Sequence, residues 1–384
     1  MNNKVYVVKC ADYAQAGEKL EELLQMMGGI ERFVKPGEEL LLKVNLLAPA
    51  PPEKAISTHP AVAGAMASQV AAAGGRAVLA DCPGAYKHSE GLLKRVYETC
   101  QMTDAAARSG AELNYDVTYR EVSFPQGKLM RHFEVMNPVL RADGVINLCK
   151  LKTHMFMNMT GAVKNHFGVI PGLSKAGYHA KLQDKEQFAG MLLDLAEFVS
   201  PRLSVMDAVV GMEGEGPGAA GTPRSIGLLL ASENPLALDV VAAAIMGLGK
   251  ELNPLLLAAE RRGLAPTDMS GVELIGARLE DIKIAGFQLP KGLKKSMIMV
   301  SKVPGPVSAV AKSLFTQTPH VAGERCVGCG LCRDSCPAKA IHLTEKKQAK
   351  INAGQCIRCY CCHELCPHKA VDVKRGLLVR LSGG

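Results

Sequence analysis

CVGCGLCRDSCP at residues 326–337 and CIRCYCCHELCP at residues 356–367 are two copies of one cysteine pattern, 30 residues apart. In each copy two residues separate the first three cysteines, and a fourth cysteine follows after three more residues and precedes a proline. A repeat of this kind indicates that one small structural unit occurs twice. The sequence therefore predicts a small α+β domain built from two related halves, at residues 321–384.

The spacing predicts two 4Fe-4S clusters. Three closely spaced cysteines can hold one cluster on a tight loop, whereas the fourth follows on a segment that turns away and binds the other cluster. By this rule the predicted ligands of cluster I are Cys326, Cys329, Cys332 and Cys366. Those of cluster II are Cys356, Cys359, Cys362 and Cys336. The run resembles that of bacterial two-cluster ferredoxins.

Two alternatives concern the same cysteines. A zinc ribbon also uses C-x2-C pairs, but it does not explain a fourth cysteine followed by proline in both copies. Cys361 is one cysteine more than the pattern needs, and it is either a bystander or an alternative ligand. Gly328 and Gly330 in the first loop correspond to Arg358 and Tyr360 in the second, so we expect the two clusters to differ in potential.

The charge and hydropathy of the chain bear on whether it binds nucleic acid, is secreted or spans a membrane. The chain has 384 residues, 13 cysteines and a net charge of +8, which could suggest nucleic-acid binding. From Val321 onward 11 Lys/Arg stand against 5 Asp/Glu, an excess that two clusters of charge about −2 each would largely offset. We therefore expect no nucleic-acid partner. The chain shows neither a secretory signal nor a transmembrane segment of about 20 apolar residues, so we expect a cytoplasmic protein with reduced thiols.

Residues 1–290 alternate strand-like apolar runs with Ala-rich or amphipathic helical stretches. Such alternation predicts an α/β domain with a largely parallel sheet and flanking helices. Residues 291–320 change character, with five lysines around Pro304-Gly305-Pro306. We interpret them as an interdomain linker, and a membrane-surface helix is the alternative.

The densest group of chemically capable residues lies at 148–179. A strand at Gly144 to Leu148 leads into it, and Thr160-Gly161 is expected to begin a helix whose free amides, with Lys164 and Asn165, could bind an anion or cofactor. Further cations or metal ligands nearby are Lys150, Lys152, His154, His166 and His179. Taken one at a time, the lysines could be solvated and the histidines could belong to the core.

A second candidate segment is the glycine-rich stretch from Glu213 to Pro217. Glu213 or Glu215 could bind a metal or act as an acid or base, and a surface loop with an acidic face is the alternative. Neither a G-x-G-x-x-G helix start nor a P-loop motif occurs in the chain. We expect Lys152 and Lys164 to hold an anionic small molecule where the two loops meet. In that site His154 is expected to bind a metal or move protons, and Glu213 is expected to face these groups.

These same residues resemble a known family. Lys150-Leu-Lys-Thr-His154, Thr160-Gly-Ala-Val-Lys-Asn165 with Phe167-Gly168, Asp207 with the Glu213 to Pro217 loop, and Asp239 are similar to domain-of-unknown-function family 362 over about residues 3–290. Glu215 stands where members often have Asn. The resemblance implies the fused architecture, which is common in anaerobic bacteria and archaea. A fainter likeness to nickel-dependent lactate racemases covers Val44-Asn45, Thr58-His-Pro60 and Ala80-Asp81-Cys-Pro-Gly84, and it nominates His59 and Asp81.

The leading functional hypothesis is an iron-sulfur oxidoreductase. Its small domain would relay electrons between a soluble redox partner protein and a substrate, or a further cofactor or metal, in the large domain. Tethering the two domains keeps the electron donor and acceptor at a high effective concentration. One alternative is a ferredoxin-like carrier whose large domain only docks or senses a ligand. Another is a metal-dependent racemase or lyase in which the clusters serve structure or cofactor repair.

Overall fold

The computed structural model describes residues 2–84, 86–291 and 318–374. In the large domain the strands are β1 Lys4–Lys9, β2 Glu39–Lys43, β3 Arg76–Ala80, β4 Glu112–Leu113, β5 Tyr119–Ser123, β6 His132–Met136, β7 Gly144–His154, β8 Asn158–Met159, β9 Leu203–Gly214, β10 Gly221–Ser232 and β11 Glu273–Ile275. Its α-helices are α1 Ala16–Met26, α2 Pro60–Ala72, α3 Glu90–Thr99, α4 Met102–Ser109, α5 Asn137–Arg141, α6 Ala162–Asn165, α7 Ser174–Lys181, α8 Lys185–Val199, α9 Pro235–Met246, α10 Pro254–Arg261 and α11 Leu279–Ile282.

The small domain is made of short elements: β12 Thr318–Val321, α12 Leu331–Asp334, β13 Ile341–Leu343, β14 Ala349–Ile351, α13 Cys361–Leu365 and β15 Val371–Lys374. Strands β12 and β15 pair antiparallel, as do β13 and β14. Short 3-10 helices occur at Tyr13–Gln15, Ile30–Arg32, Pro52–Lys54, His166–Val169, Lys250–Leu252, Met269–Gly271 and Gly323–Arg325.

The large domain is built on one mixed, mostly parallel sheet in the order β11-β1-β10-β9-β7-β2-β3-β4, with β8 paired to β7. Strands β4, β3, β2, β7 and β9 run parallel, and β10 is antiparallel to both of its neighbours. Successive residues of β2 point to opposite faces, so Leu40 and Leu42 join one apolar core and Leu41 joins the other. Helices therefore cover both faces, as the strand-helix alternation predicts.

Local sequence explains where the main helices begin and end. The Asn234 side chain accepts from the amides of Leu236 and Ala237, Pro235 occupies the first turn, and Gly247 ends α9 at a φ of 69°. Asp184 caps α8 in the same way.

The linker predicted at 291–320 lies mostly outside the described residues. Thr318 already belongs to β12, so the small domain begins slightly before residue 321. Within the described ranges, no helix is both long enough and apolar enough to cross a membrane.

Candidate functional site

The polar residues of the large domain gather at the carboxyl edge of its sheet. Strands β2, β3, β7 and β9 are parallel and end at this edge, which is where open α/β sheets bind ligands. Lys43 ends β2, Asp81 follows β3, Lys150 and Lys152 lie in the last part of β7, and Asp207 lies in β9. All five are buried.

The first buried ion pair at this edge joins β2 to the segment after β3. Lys43 Nζ lies 2.8 Å from Asp81 Oδ1, and the Leu46 amide donates to Asp81 Oδ2. Burial raises the pKa of Asp81, and Lys43 opposes that shift. A Cβ on Gly168 would lie 2.1 Å from Asp81 Oδ1 and 2.5 Å from Lys43 Nζ. The glycine in the Phe167-Gly168 motif therefore makes room for this pair.

A second buried ion pair uses Lys150 and Asp207, whose Nζ and Oδ2 are 2.6 Å apart. The Tyr13 hydroxyl donates to Asp207 Oδ1 at 3.0 Å, and the His59 amide donates to Oδ2 at 2.9 Å. The His59 ring stacks on Tyr13 and its Nδ1 accepts from the Ala61 amide, so this nominated histidine caps α2. Lys150 is thus fully engaged inside the domain.

Lys152 is held behind the candidate site rather than in it. Its Nζ donates to Asn45 Oδ1 at 2.7 Å and to the Ile56 carbonyl at 2.6 Å. Burial, together with Lys164 and Lys150, lowers the pKa of Lys152 to about 7. Asn45 in turn donates to Asn165 Oδ1 at 2.9 Å. The predicted cofactor-binding residue Asn165 is therefore tied into a buried amide network, with Lys152 at its far end.

The helix start at Thr160-Gly161 differs from the prediction of free amides. The Asp239 carboxylate accepts from the amides of Ala162 and Val163, the latter at 3.1 Å. A Cβ on Gly161 would lie 2.2 Å from Asp239 Oδ1, so glycine is needed for this approach. The first turn of α6 is thus already capped by a carboxylate from α9. The prediction failed because the cap comes from a residue 77 positions away.

A cavity of about 70 Å³ lies at the sheet edge, and we call it the sheet-edge cavity. The large domain contributes charged or polar side chains to its lining: Asn45, Asp81, Thr160, Lys164, Asn165, Lys175 and His179. Thr160 Oγ1 and His179 Nδ1 are buried without a hydrogen-bond partner among the described residues. Lys164 is partly buried, and no described carboxylate lies within 4.0 Å of its Nζ. Two carboxylate oxygens of the lining, Asp81 Oδ1 and Glu364 Oε1, also lack a hydrogen-bond partner among the described residues, so the cavity presents unpartnered acceptors as well as the Thr160 hydroxyl.

The sequence analysis names His179 but not Lys175, and the structure places both beside this cavity on α7. Lys175 Nζ donates to the carbonyls of Cys82 and Pro83, and burial lowers its pKa to about 8. His179 stacks on Phe188 with ring centroids 4.4 Å apart, and burial lowers its pKa to about 3. His179 is therefore a neutral side chain at neutral pH.

The carboxylate that faces the lysines comes from the small domain. Glu364 on α13 lines the sheet-edge cavity, and its Oε1 lies 3.2 Å from His154 Nε2. Its charge raises the pKa of Lys164 against the lowering by burial. His154 Nδ1 accepts from the amides of Phe156 and Met157, and burial holds its pKa well below the usual range. The neutral ring therefore carries its proton on Nε2, the nitrogen nearest Glu364 Oε1, although this contact does not have hydrogen-bond geometry.

Glu213, which was expected to face these groups, lies elsewhere. Its Oε2 accepts from the Gln288 amide at 3.0 Å, and Oε1 lies 4.0 Å from Arg224 Nη1. The expectation failed because the pairing of β9 with β10 sets Glu213 opposite Thr222. The predicted meeting of the two loops does occur, since the Met155 amide donates to the Gly216 carbonyl at 3.1 Å.

The Glu213 to Pro217 loop and the residues after it contact the small domain. One ring nitrogen of His363 lies 3.1 Å from the Glu215 carbonyl, and the other lies 2.6 Å from the Val371 carbonyl. A Cβ on Gly218 would lie 2.0 Å from the Glu364 carbonyl oxygen. The loop therefore contributes to the contact between the two domains, through backbone groups rather than through its acidic side chains.

Two cavities in the small domain are lined by cysteines, four in the first and five in the second. The first cysteine cavity is lined by Cys326, Cys329, Cys332 and Cys366. The second cysteine cavity is lined by Cys336, Cys356, Cys359 and Cys362, together with Cys361. Each cavity brings together three cysteines of one repeat and the fourth cysteine of the other.

The backbone around these cysteines suits iron-sulfur ligation. The amides of Ala340, Ala349 and Ala370 donate to the sulfurs of Cys336, Cys326 and Cys366, respectively, at 3.2–3.4 Å, and such bonds favour the thiolate form. Gly328 and Gly330 have φ of 69° and 79°, and Arg358 and Tyr360 adopt the same left-handed conformation at 58° and 63°. The second loop therefore keeps the first loop's shape with residues that adopt it less easily.

Cys361 separates the second cysteine cavity from the sheet-edge cavity, since it lines both. In the loop that lines the first cysteine cavity, Cys329 is exposed and the neighbouring Val327 is 62% exposed. The two cysteine cavities thus have different surroundings, because the second shares Cys361 with the sheet-edge cavity and the first reaches solvent at Cys329. In the described part of the large domain, no group of three or more His, Cys, Asp and Glu side chains is arranged to hold a metal ion.

Sequence reasoning missed Glu364, Lys175 and Lys43 as site residues. Lys43 and Asn45 directly follow the apolar run of β2, and that placement at a strand end was a usable signal. Glu364 corresponds to Asp334 in the first repeat, which is exposed. Nothing local distinguishes the two positions, because only docking on the large domain buries one of them.

Comparison with known proteins gives two family matches. The family described as domain of unknown function (DUF362) matches residues 40–244, and the 4Fe-4S dicluster domain matches residues 325–370. The thylakoid-associated protein sll1697 of Synechocystis is 35% identical over 254 residues, which is 65% of this chain and 75% of that protein.

Two solved structures align with part of this chain. The lactate racemase apoprotein of Thermoanaerobacterium thermosaccharolyticum aligns with a TM-score of 0.41 at 9% identity, over 64% of this chain and 57% of that one. A Thermotoga maritima protein aligns with a TM-score of 0.33 at 12% identity, over 57% and 55%. Both likenesses are too distant to support an argument about function.

Proposed function

Because this chain belongs to the DUF362 family and carries a 4Fe-4S dicluster domain, we propose that it is an iron-sulfur oxidoreductase whose clusters exchange electrons with a molecule in the sheet-edge cavity. One observation carries the proposal. Cys361 forms part of the wall of both the second cysteine cavity and the sheet-edge cavity. A cluster in the second cysteine cavity would therefore adjoin the sheet-edge cavity, with the Cys361 side chain between them.

Two 4Fe-4S clusters fit the two cysteine sets. Cluster I would be held by Cys326, Cys329, Cys332 and Cys366, and cluster II by Cys356, Cys359, Cys362 and Cys336. When bound, such clusters supply one-electron transfer. The chain's own contribution is to hold the sulfurs, to donate backbone amides to three of them and to exclude water around cluster II, whose ligands Cys359 and Cys362 are buried.

The proposed route of the electrons follows from the solvent exposure of the two cluster sites. Cys329 and Val327 place cluster I near the surface, where a soluble redox partner protein can approach it. Cluster II would adjoin the sheet-edge cavity, so electrons would pass between the partner and that cavity through both clusters. A cytoplasmic, oxygen-poor setting is part of the proposal, since exposed clusters and reduced thiols need one.

The proposed ligand of the sheet-edge cavity is a small anion. Lys164 supplies a cation without a close carboxylate among the described residues, Lys175 adds a second, and Thr160 offers an unpartnered hydroxyl. Lys152 acts from behind, because its Nζ holds Asn45 Oδ1 at 2.7 Å. His154 is a positioning residue for Glu364, and Glu213 has no part in the proposed site. A further cofactor or metal in this cavity is not needed for the proposal.

The test uses the reduced full chain, prepared without oxygen. Electron paramagnetic resonance spectra are recorded with and without inorganic phosphate, sulfite or acetate as small-anion probes. We expect at least one of them to perturb the signal of cluster II and to leave cluster I unchanged. Lys164→Ala should abolish the effect, and Lys181→Ala, which removes an exposed lysine of α7, should not.

Two results would contradict the proposal: no anion effect on cluster II, or an equal effect in Lys164→Ala. Binding without any turnover of reducible anions would favour the alternative of a carrier with a ligand-sensing domain. The observation that favours this alternative is the small size of the cavity, about 70 Å³, which leaves little room for a reacting substrate.

A further inference from the structure

A second and larger cavity lies between the two domains, next to cluster I. It measures about 600 Å³, within the range of about 300–1,000 Å³ that small-molecule sites occupy. Its walls come from the segment after β2, from α3, from the Gly218-Ala219 turn and from residues 365–369 of the small domain. We call it the interdomain cavity. It is distinct from the sheet-edge cavity, although both are bordered by Glu364 and Leu365.

The chemistry of its lining is mixed in a specific way. Much of the wall is apolar, formed by residues such as Pro49, Leu92 and Leu331. The cations in the wall come from three separate elements and are Lys54, Arg95 and Lys369. All three are exposed, and no described carboxylate lies within 4.0 Å of their charged groups. An apolar chamber with unpaired cations suits a molecule with an apolar body and an anionic group.

The position of the cavity indicates a redox ligand. Cys329 and Cys366 line both this cavity and the first cysteine cavity, as do Leu331 and Pro367. Tyr86 of the large domain is a further wall residue. A molecule in the interdomain cavity would therefore touch two of the sulfurs that we assign to cluster I.

From this arrangement we propose that the interdomain cavity binds an anion-bearing organic redox cofactor of the flavin mononucleotide type, which exchanges electrons with cluster I. The ring would lie against the apolar wall beside Cys329 and Cys366, with the phosphate toward Lys54 and Arg95. Two one-electron transfers from reduced cluster I, each returning the cluster to its oxidised state, and two protons from solvent convert the oxidised ring to its hydroquinone. The redox partner protein proposed above would reduce the cluster again.

The proposal rests on the assignment of cluster I but not on the sheet-edge cavity. Binding of flavin mononucleotide to the anaerobic holoprotein can be followed by the quenching of flavin fluorescence, with riboflavin as the matched probe that lacks the phosphate. We expect flavin mononucleotide to bind at least tenfold more tightly than riboflavin. The double variant Lys54→Ala/Arg95→Ala should lose this preference. Lys94→Ala, an exposed lysine on α3 outside the cavity lining, should keep it.

Two further variants locate the binding. Ala219→Phe fills part of the interdomain cavity and should weaken the binding of both flavins. Lys164→Ala acts only in the sheet-edge cavity and should leave both affinities unchanged. Loss of the anion effect in the sheet-edge cavity with flavin binding intact would refute the proposed function alone. No flavin binding, or equal affinity of the double variant and wild type for flavin mononucleotide, would overturn the inference drawn from the interdomain cavity.

Discussion

His154 Nε2 lies 3.2 Å from Glu364 Oε1, across the boundary between the large domain and the small one. The histidine belongs to β7 and the glutamate to α13, between two of the cysteines assigned to the clusters. Two backbone amides donate to His154 Nδ1, so the ring carries its proton on Nε2, the nitrogen nearest the carboxylate. This contact makes the small domain a wall of the sheet-edge cavity, and the charge of that wall can be changed by substitution.

Glu364→Gln is expected to strengthen the binding of small anions in the sheet-edge cavity. The substitution removes a negative charge facing Lys164 while keeping the size of the side chain. At an effective dielectric constant near 20 the loss of such a charge should tighten binding by about fivefold or more. The measurement is a phosphate or acetate titration of the cluster II signal. Asp334→Asn, the corresponding exposed position of the first repeat, should change nothing, and weaker binding in Glu364→Gln would contradict the placement of the ligand.

Crossed ligation of the clusters predicts which substitutions have the same effect. The wild-type chain should contain about eight iron and eight acid-labile sulfide. Cys366 and Cys329 line the same cavity, so Cys366→Ser and Cys329→Ser should both damage cluster I and leave the same residual spectrum. Cys336→Ser should instead resemble Cys359→Ser. Iron analysis and electron paramagnetic resonance check this. If Cys336→Ser resembled Cys329→Ser, each repeat would hold its own cluster.

Gly168→Ala is expected to destabilise the large domain by about 1–3 kcal/mol, the usual cost of overpacking a buried site. The new Cβ would lie 2.1 Å from Asp81 Oδ1 and would force the Lys43–Asp81 pair apart. Gly177→Ala in α7 is the matched control, because no atom lies within 4 Å of its added Cβ. It should be neutral or stabilising by up to about 1 kcal/mol. Urea unfolding followed by circular dichroism distinguishes them, and equal stabilities would refute the packing role of Gly168.

The buried Lys152 should give the folded state a measurable pH dependence. Its pKa is about 7 in the folded chain, below the ordinary value of 10.5. Between these values the unfolded chain binds a proton that the folded chain does not, so the free energy of unfolding rises with pH in this window. This gain in stability is lost progressively as the pH falls from 10.5 to about 7, below which both states bind the proton. Relative to Lys152→Met, the wild type should gain about 1–2 kcal/mol between pH 7 and pH 9.

The remaining buried lysines are common to both proteins in that comparison, so only the part of their titration that is coupled to Lys152, through Lys164 and Lys150, remains in the difference. Parallel stability curves for the wild type and Lys152→Met would show that Lys152 keeps its proton when folded. The hydrogen bonds to Asn45 and Ile56 would then have to stabilise an ammonium group.

Several features could be predicted from the sequence because they depend on residues close together in the chain. The family resemblance, the α/β alternation and the dicluster repeat are confirmed. Cysteine spacing acts locally, and Lys43, Asp81 and Lys152 lie near strand ends, where a parallel sheet gathers side chains at one edge. Gly161 and Gly168 also belong to a local sequence pattern, although the side chains that they make room for come from elsewhere in the chain.

The sequence by itself determined the fusion of an α/β domain with a dicluster domain, the spacing of the eight cysteines, and the concentration of lysine and histidine after β7. Only the tertiary structure decided that Asp239 caps α6, that Glu213 turns toward Arg224, and that Glu364 closes the sheet-edge cavity. The Asp239 and Glu364 contacts join segments that are distant in the chain or in different domains, and the Glu213 contact depends on the pairing of β9 with β10. Their partners are selected by packing and by the need to pair buried charges, which no local pattern encodes.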